Sequence, residues 1–269
     1  MVAMPEEAGL IKVDELGLQP DTDEKNASPF FYGFVGKTSS DDRKLCLAEF
    51  KVDPLYGVPS VSTEPAAVAT AAAIQVYNPD LVVSAGTCGG VQQPGFPLRQ
   101  GDLVIPNRCF IVGRSIIIPD FQEYISSEYP MLDPGKVVEK VFEGQAKEGG
   151  GSGTNEDVKV GACGTVNSFV ASDDVGLEAG VIICEMECAA EARVCHVMGQ
   201  KPFTALKIIS DVEPLPLLSL EDGVGTGTEG TENPAKTRQE LFAEFLETGM
   251  NKLAECVKQL VESIDLLDG

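Results

Sequence analysis

The sequence predicts an α/β fold, a single domain with a central mixed sheet flanked by helices. Short unbroken apolar runs alternate along it with helix-forming stretches, as they do where strands are covered on both faces. At 269 residues, 43% hydrophobic and 23% charged, the chain can bury one sizeable core, and residues 1–269 are read as one domain. Turn signals such as Asn78-Pro79-Asp80 separate the two kinds of segment.

The first strong helix is the Ala-rich segment 65–77, within VSTEPAAVATAAAIQVY (61–77). LVVSAG (81–86) follows as an apolar strand ending in glycine. DLVIP (102–106), CFIVG (109–113), SIIIP (115–119), VKVGACG (158–164), GVIIC (180–184) and FTALKIIS (203–210) read as further strands. Helices are expected at 134–147, 186–198 and 234–265. The last carries Leu241, Phe242, Phe245, Leu246, Leu253, Val257, Leu260, Val261 and Ile264 at three- and four-residue spacing, a stripe for core packing. QAKEGGGSGTNED (145–157) and SLEDGVGTGTEGTENP (219–234) are polar, Gly-rich surface insertions. The second follows Ser210 and Asp211, so solvated loop and mobile lid both stay open for it.

Charge and composition exclude several classes. A formal net charge of −22 repels phosphate backbones and anionic lipid, so neither nucleic acid nor membrane is an expected partner. No apolar run reaches the roughly 18 residues of a spanning helix, and the N-terminus lacks a basic region before an apolar stretch. The sequence reads as a soluble cytoplasmic protein. Its eight cysteines lie in apolar segments without a CxxC pair and are expected as buried free thiols. Cys184 and Cys188 have no second ligand pair near them, and His196, the only histidine, belongs to a helical stretch. No metal or other cofactor is expected, nor a Ser or Cys triad.

The polar residues of interest fall at strand ends, where ligands gather in α/β sheets. Glu7 follows the opening MVAM, Thr87 follows LVVSAG, Glu185 and Glu187 follow GVIIC, and Ser210 and Asp211 follow FTALKII. Carboxylates meeting in one pocket repel each other, so each needs its own partner: a sugar hydroxyl, a water or a protonated ring nitrogen. The set suggests a nucleoside.

AMPEEA, SAGTCGG, EME ahead of a small-residue helix and ISD at a strand end resemble the purine nucleoside phosphorylase and nucleosidase superfamily. Their order matches it from Ala3 to the terminal helix. The likeness is strongest to 5′-methylthioadenosine nucleosidases of the plant type, which share AGTCGG and a lysine, here Lys207, ahead of the ISD-like triplet. The resemblance implies a nucleoside phosphorylase-like fold, a homodimer, no cofactor, and hydrolysis of 5′-methylthioadenosine to adenine and 5-methylthioribose in methionine salvage. S-Adenosylhomocysteine is a second candidate substrate.

It also implies residue roles. Asp211 would protonate adenine N7, held by Ser210 in a nonpolar surrounding that keeps it protonated. Glu187 would bind ribose hydroxyls and offset the positive charge that develops on the sugar, and Glu7 would activate the attacking water. Met186 would lie against the ribose, Phe169 would stack on the base, and Val170 would meet its edge with backbone groups. For Met186 and Phe169, plain packing is the alternative. Glu185 lies beside the sugar or caps the new helix, and Thr87 contacts the substrate or forms a tight turn. Lys207 pairs with a carboxylate without the fork that arginine would offer.

A phosphorylase of this type would hold phosphate with an arginine where Ser84 stands, and Glu7 would repel that anion, so hydrolysis is preferred. A phosphorylase and a noncatalytic nucleoside-binding or storage protein are the alternatives. Three departures stand out. Only three residues precede Met4, where the family carries a longer first strand. STEP (62–65) replaces a glycine-containing turn. Val112-Gly113 replaces a His-Asp pair, although Arg114, Pro119, Phe121 and Tyr124 keep the plant-like pattern.

Overall fold

The computed structural model describes all residues except 12–14, 40, 115–117, 122–123, 125–127, 130, 144–157, 168–179, 214–237 and 264–269. In chain order the elements are α1 (Pro5–Leu10), β1 (Gln19–Pro20), β2 (Phe31–Lys37), β3 (Lys44–Phe50), α2 (Thr63–Tyr77), β4 (Val82–Val91) and β5 (Leu103–Ile111). They continue with α3 (Pro134–Glu143), β6 (Val158–Thr165), β7 (Val181–Glu185), α4 (Cys188–Val197), β8 (Phe203–Glu213) and α5 (Arg238–Glu262). Among the described residues no helix is long and apolar enough to cross a membrane.

The central sheet is mixed, as expected, and it is closed rather than open. Its strands run β4-β7-β6-β5-β8 around a barrel. β4 with β8, β5 with β6, and β6 with β7 are parallel pairs; β4 with β7 and β5 with β8 are antiparallel. Closure rests on two residue pairs, Leu103 with Ile208 and Val104 with Lys207.

Both faces of these strands are covered, which explains their continuous apolar composition. Leu103, Ile105, Leu206 and Ile208 pack with Met250, Leu253, Val257 and Leu260 of α5, the stripe read as core. Residues of opposite parity, Val104, Ala205 and Ile209, pack with Cys188, Ala189, Ala192 and Cys195 of α4. Leu241 and Ile264 of the predicted stripe have no described side-chain environment.

Several elements differ from expectation. DLVIP and CFIVG form one strand, β5. The register shifts between Pro106 and Arg108, so a bulge carries the chain past the proline that reads as a break. Residues 115–117 of the expected strand 115–119 lie outside the described residues, and Pro119–Phe121 is a 3-10 turn. The expected insertions 145–157 and 219–234 lie outside them as well, with 157 the last of the first.

A three-stranded antiparallel sheet, β1-β2-β3, has no counterpart in the expected elements. β2 is mostly half-exposed and carries Gly33 and Gly36, so it lacks a clean apolar alternation. Gly33 is required by close packing, since a Cβ there would stand 2.0 Å from the Tyr77 hydroxyl. Cys46, on β3, is exposed rather than buried, because it falls in the first part of the strand, Lys44 to Cys46, which faces solvent while Leu47 to Phe50 are buried. Cys184 is half-buried, and the other six thiols are buried as expected.

The start of α2 bears on the site. Ser62 precedes it with φ 105° and ψ 174°, a region that essentially only glycine occupies without strain. The glycine-like turn geometry is present at STEP while the glycine is not. Ser62→Gly should therefore raise unfolding stability by about 1 kcal/mol. Relief of roughly 1–3 kcal/mol of strain exceeds the roughly 0.5–1 kcal/mol of added chain entropy. Urea denaturation of the two proteins measures this, and a lower midpoint for the glycine variant would contradict the assignment of strain.

Candidate active site

Glu7 stands on α1, a six-residue helix, and not directly at a strand end. It is 3% exposed. Its Oε1 accepts from the Thr87 backbone N–H at 2.7 Å and from the Thr87 hydroxyl at 2.8 Å. The carboxylate lies over Gly86, where an added Cβ would sit 3.1 Å from Oε2, so glycine permits the approach. Burial pushes the Glu7 pKa up, and the Thr87 hydrogen bonds and Lys207 oppose the shift.

Glu185 ends β7, and α4 begins three residues later. Its Oε2 accepts from the N–H groups of Glu187 at 3.0 Å and Cys188 at 2.7 Å, capping the helix. Lys207 Nζ lies 3.2 Å from the same oxygen, with both side chains buried. Oε1 takes the Thr165 hydroxyl at 2.5 Å and the Cys163 thiol at 3.5 Å. Both oxygens of Glu185 are thus engaged by protein groups. Burial alone would lower the Lys207 pKa, but Glu185, helped by Cys188, Glu191 and Glu187, holds it well above the usual value.

Glu187 Oε1 accepts from the Ser62 backbone N–H at 3.1 Å, so the strained turn before α2 holds this carboxyl. Next to it, Thr63 donates through N–H (3.2 Å) and hydroxyl (2.9 Å) to Asn167 Oδ1. Burial, and then the charge of Glu185, push the Glu187 pKa up to about 8. Met186 is half-buried between the two glutamates.

Ser210 and Asp211 lie at a second bulge. Cys88 pairs with Ile209 and Gly89 with Asp211, so Ser210 is the extra residue in β8. Ser210 Oγ lies 2.7 Å from Asp211 Oδ1 and 3.2 Å from the Cys88 carbonyl oxygen. Gly89 also pairs with Cys184, so the ends of β8 and β7 meet across β4. Asp211 itself is exposed, and the nonpolar enclosure expected for it is not built by the described residues. Phe169 and Val170 lie outside the described residues.

Glu7, Thr87, Glu187 and Lys207 line one small chamber with Ser84 and Glu191. Its volume is about 10 Å³, close to the room one water needs. Glu191 is missed by sequence reasoning. It is 1% exposed, its Oε2 has no hydrogen-bond partner among the described residues, and burial raises its pKa to about 7. The available signal is its position four residues after Glu187, one helical turn on and on the same face. Thr165, also missed, links β6, β7 and α4: it donates to Glu185 and accepts from the Ala189 N–H at 2.9 Å.

A buried carboxyl whose folded pKa lies above its unfolded value favours folding at low pH, and that contribution is lost as pH rises through the folded pKa. Glu187 and Glu191 are shifted this way from 4.5, to about 8 and about 7. The ligand-free protein should therefore lose stability as pH rises from about 5 to 8. Glu187→Gln should flatten the slope. Denaturation midpoints across that range test this, and an unchanged slope in the variant would contradict the shifted carboxyl.

Comparison with known proteins adds relatives to this geometry. The chain is 29% identical over 153 residues to a 5′-methylthioadenosine/S-adenosylhomocysteine nucleosidase of Marinomonas sp., a match covering 55% of this chain and 63% of the relative. It is 34% identical over 127 residues to a 5′-methylthioadenosine nucleosidase of Arabidopsis thaliana, covering 46% and 45%. These matches span about half to under two thirds of each relative's length. The solved structure of an Arabidopsis thaliana 5′-methylthioadenosine nucleosidase in apo form superposes with a TM-score of 0.70. That superposition covers 100% of this chain and 94% of the other at 23% identity, a likeness of fold. A family profile described as the phosphorylase superfamily matches residues 1–262, and the chain belongs to that superfamily.

Proposed function

We propose that the protein hydrolyses the N-glycosidic bond of 5′-methylthioadenosine, releasing adenine and 5-methylthioribose, with S-adenosylhomocysteine as a second candidate substrate. The observation that carries this reading is the acidic chamber. Glu7 is fixed by two donors from Thr87 beside Glu187 and Glu191, in a space that suits a neutral water and repels a phosphate dianion. Ser84, at the position where a phosphorylase would carry an arginine, lines the same chamber, and its Lys207 is already paired with Glu185. The nucleosidase activity named for the relatives from Marinomonas and Arabidopsis supports the same class.

In this reading water attacks C1′ as the bond from C1′ to N9 breaks, and the bond's electron pair leaves with the purine. Asp211 donates a proton to N7, and Glu7 takes one from the water. Burial raises the proton affinity of Glu7, as a group that accepts a proton from water requires. Glu187 binds the ribose hydroxyls and offsets the positive charge that grows on the sugar. Ser210 orients Asp211 at 2.7 Å, and a purine lying against the ends of β4 and β8 would itself exclude water from this exposed carboxyl. Met186, Phe169 and Val170 belong to the sugar and base contacts. Glu185 and Lys207 act through each other to support Glu187.

The experiment is product analysis with 5′-methylthioadenosine, with and without phosphate. Free methylthioribose independent of phosphate is expected; methylthioribose 1-phosphate formed only with phosphate would sink the hydrolase. Asp211→Asn should lower turnover about 10²–10⁴-fold with an unchanged melting temperature, and full activity in it would remove Asp211 from the acid role.

The reading includes a cytoplasmic location and a homodimer. Leu55 and Tyr56 are 78% and 75% exposed, and Val52, Val58, Phe30 and Tyr32 extend the apolar patch beside them. This patch adjoins the segment leading to Ser62, so a second copy would wall the site. Sedimentation should give a dimer, and Leu55→Glu with Tyr56→Glu should give monomers with reduced turnover. A monomeric parent protein would refute that part of the reading.

A further inference from the structure

Glu191 is the carboxyl of the acidic chamber that the reading above leaves without a task. Its side chain leaves α4 one helical turn after Glu187, on the same face, and is buried. Oε2 meets no hydrogen-bond partner among the described residues, although a buried carboxyl oxygen is ordinarily met by a protein donor or an ordered water. The chamber has the size for the second, since its volume of about 10 Å³ matches one water. Glu7, Ser84, Thr87, Glu187 and Lys207 stand in the same wall, enough polar groups for the roughly two to four bonds that a buried water makes.

Groups from several elements face Glu191. Burial raises its pKa to about 7; Lys207 of β8, the Met1 ammonium and the Ser84 hydroxyl of β4 oppose the rise, and Cys188 of α4 adds to it. The Cys109 and Cys195 thiols feel its charge, and Glu7 and Glu187 share its chamber. Near neutrality Glu191 is thus divided between its two forms and exchanges a proton at little cost. Glu7 needs such an exchange. Thr87 fills two of the roughly four acceptor positions of the Glu7 carboxylate, and a proton taken from water leaves that group neutral over the same chamber. A base that keeps its proton cannot serve a second turnover, and Glu7 is buried away from bulk solvent.

We propose that Glu191 is a positioning residue for this reaction: its bare oxygen holds one water in the chamber, and through that water it relieves Glu7 of the proton removed from the attacking water. Glu7 donates to the chamber water while that water donates a different proton to Glu191. Glu7 returns to its carboxylate form, the chamber water is unchanged, and the negative charge passes from Glu191 to Glu7. Loss of the Glu191 proton to solvent after the products leave, with reprotonation of Asp211 from solvent, completes the cycle. The relay rests on the hydrolase reading, whereas the water shared by the two carboxyls is observable without any reaction.

The test uses Glu191→Gln, which keeps the size and a bond to the water but takes no proton, and Glu191→Asp, which keeps the carboxyl. Only ionised Glu191 accepts, so kcat of the parent protein with 5′-methylthioadenosine should rise with pH through about 7. Glu191→Gln should lower kcat at least about tenfold, hold KM within about twofold and abolish that rise; Glu191→Asp should restore part of both. Infrared spectra of the ligand-free protein supply a readout without substrate. A carboxyl C=O band should titrate near pH 7, vanish in Glu191→Gln and shift in Glu7→Gln, as two carboxyls bonded to one water require. Phosphate-independent hydrolysis by the parent with unchanged kcat and pH profile in Glu191→Gln would overturn the relay and leave the hydrolase standing. A raised KM at constant kcat, or a band indifferent to Glu7→Gln, counts against the relay equally. The linked band in a parent protein that hydrolyses nothing would refute the reaction and the relay with it, while the shared water stands.

Discussion

The buried pair of Glu185 and Lys207 is the contact on which the rest of the site depends. It joins β7 to β8, strands that are separated by β4 in the barrel. A buried ion pair is tolerable only when its remaining hydrogen-bonding capacity is met, and removing one partner typically costs about 3–5 kcal/mol. Here the capacity is met by the first N–H groups of α4, by Thr165 from β6 and by the Cys163 thiol. One carboxylate therefore fixes a strand end, a helix start and a neighbouring strand. Glu187, two residues on, inherits its direction from that arrangement and from the Ser62 turn.

The charges around Lys207 do not balance. Glu185 matches it, the buried Met1 ammonium faces Glu191, and Glu7, Glu187 and Glu191 together still outnumber that second cation. Burial first, and for Glu187 the charge of Glu185 after it, keeps protons on Glu187 and Glu191 well above the usual carboxylate range. Under the proposed reaction that is useful. A sugar becoming cationic favours the ionised form of Glu187 most strongly when the positive charge is greatest, so the interaction is stronger in the transition state than with bound substrate.

The parts of the molecule legible in the sequence are those with a single strong cause. β7 and the first halves of β4 and β8 are covered on both faces, so they read as apolar runs, and α5 keeps its stripe because one face meets the barrel. β2 and β3 lack such a cause: β2, the middle strand of the small sheet, has two glycines and mostly half-exposed side chains, and β3 is exposed in its first half and buried in its second, so neither keeps a period to read. Bulges are equally silent, and they decide two features here. One carries β5 past Pro106; the other makes Ser210 the unpaired residue next to Asp211. For the site, motifs bring out Glu7, Glu187, Lys207, Ser210 and Asp211. Thr165 comes only from three-dimensional closeness, and Glu191 is signalled by nothing but its spacing of one helical turn from Glu187, since neither stands in a motif. The exposure of Asp211 has the same origin, because enclosure depends on which elements end near a residue and not on its neighbours in the chain.

The Glu7 carboxylate shows how stability and chemistry are joined. A six-residue helix has no independent stability, so α1 is held by what it packs on. Ala8 and Ile11 are buried in the core, while Met1 and Val2 ahead of the helix are hydrogen-bonded to β4 and β3. The position of Glu7 relative to Thr87 therefore depends on how firmly Met1 and Val2 are seated between β3 and β4. A few tenths of an ångström at that seam would reach the two hydrogen bonds to Glu7 directly, because no other element intervenes. Whatever tightens the joint between the small sheet and the barrel also sharpens the placement of the group proposed to activate water.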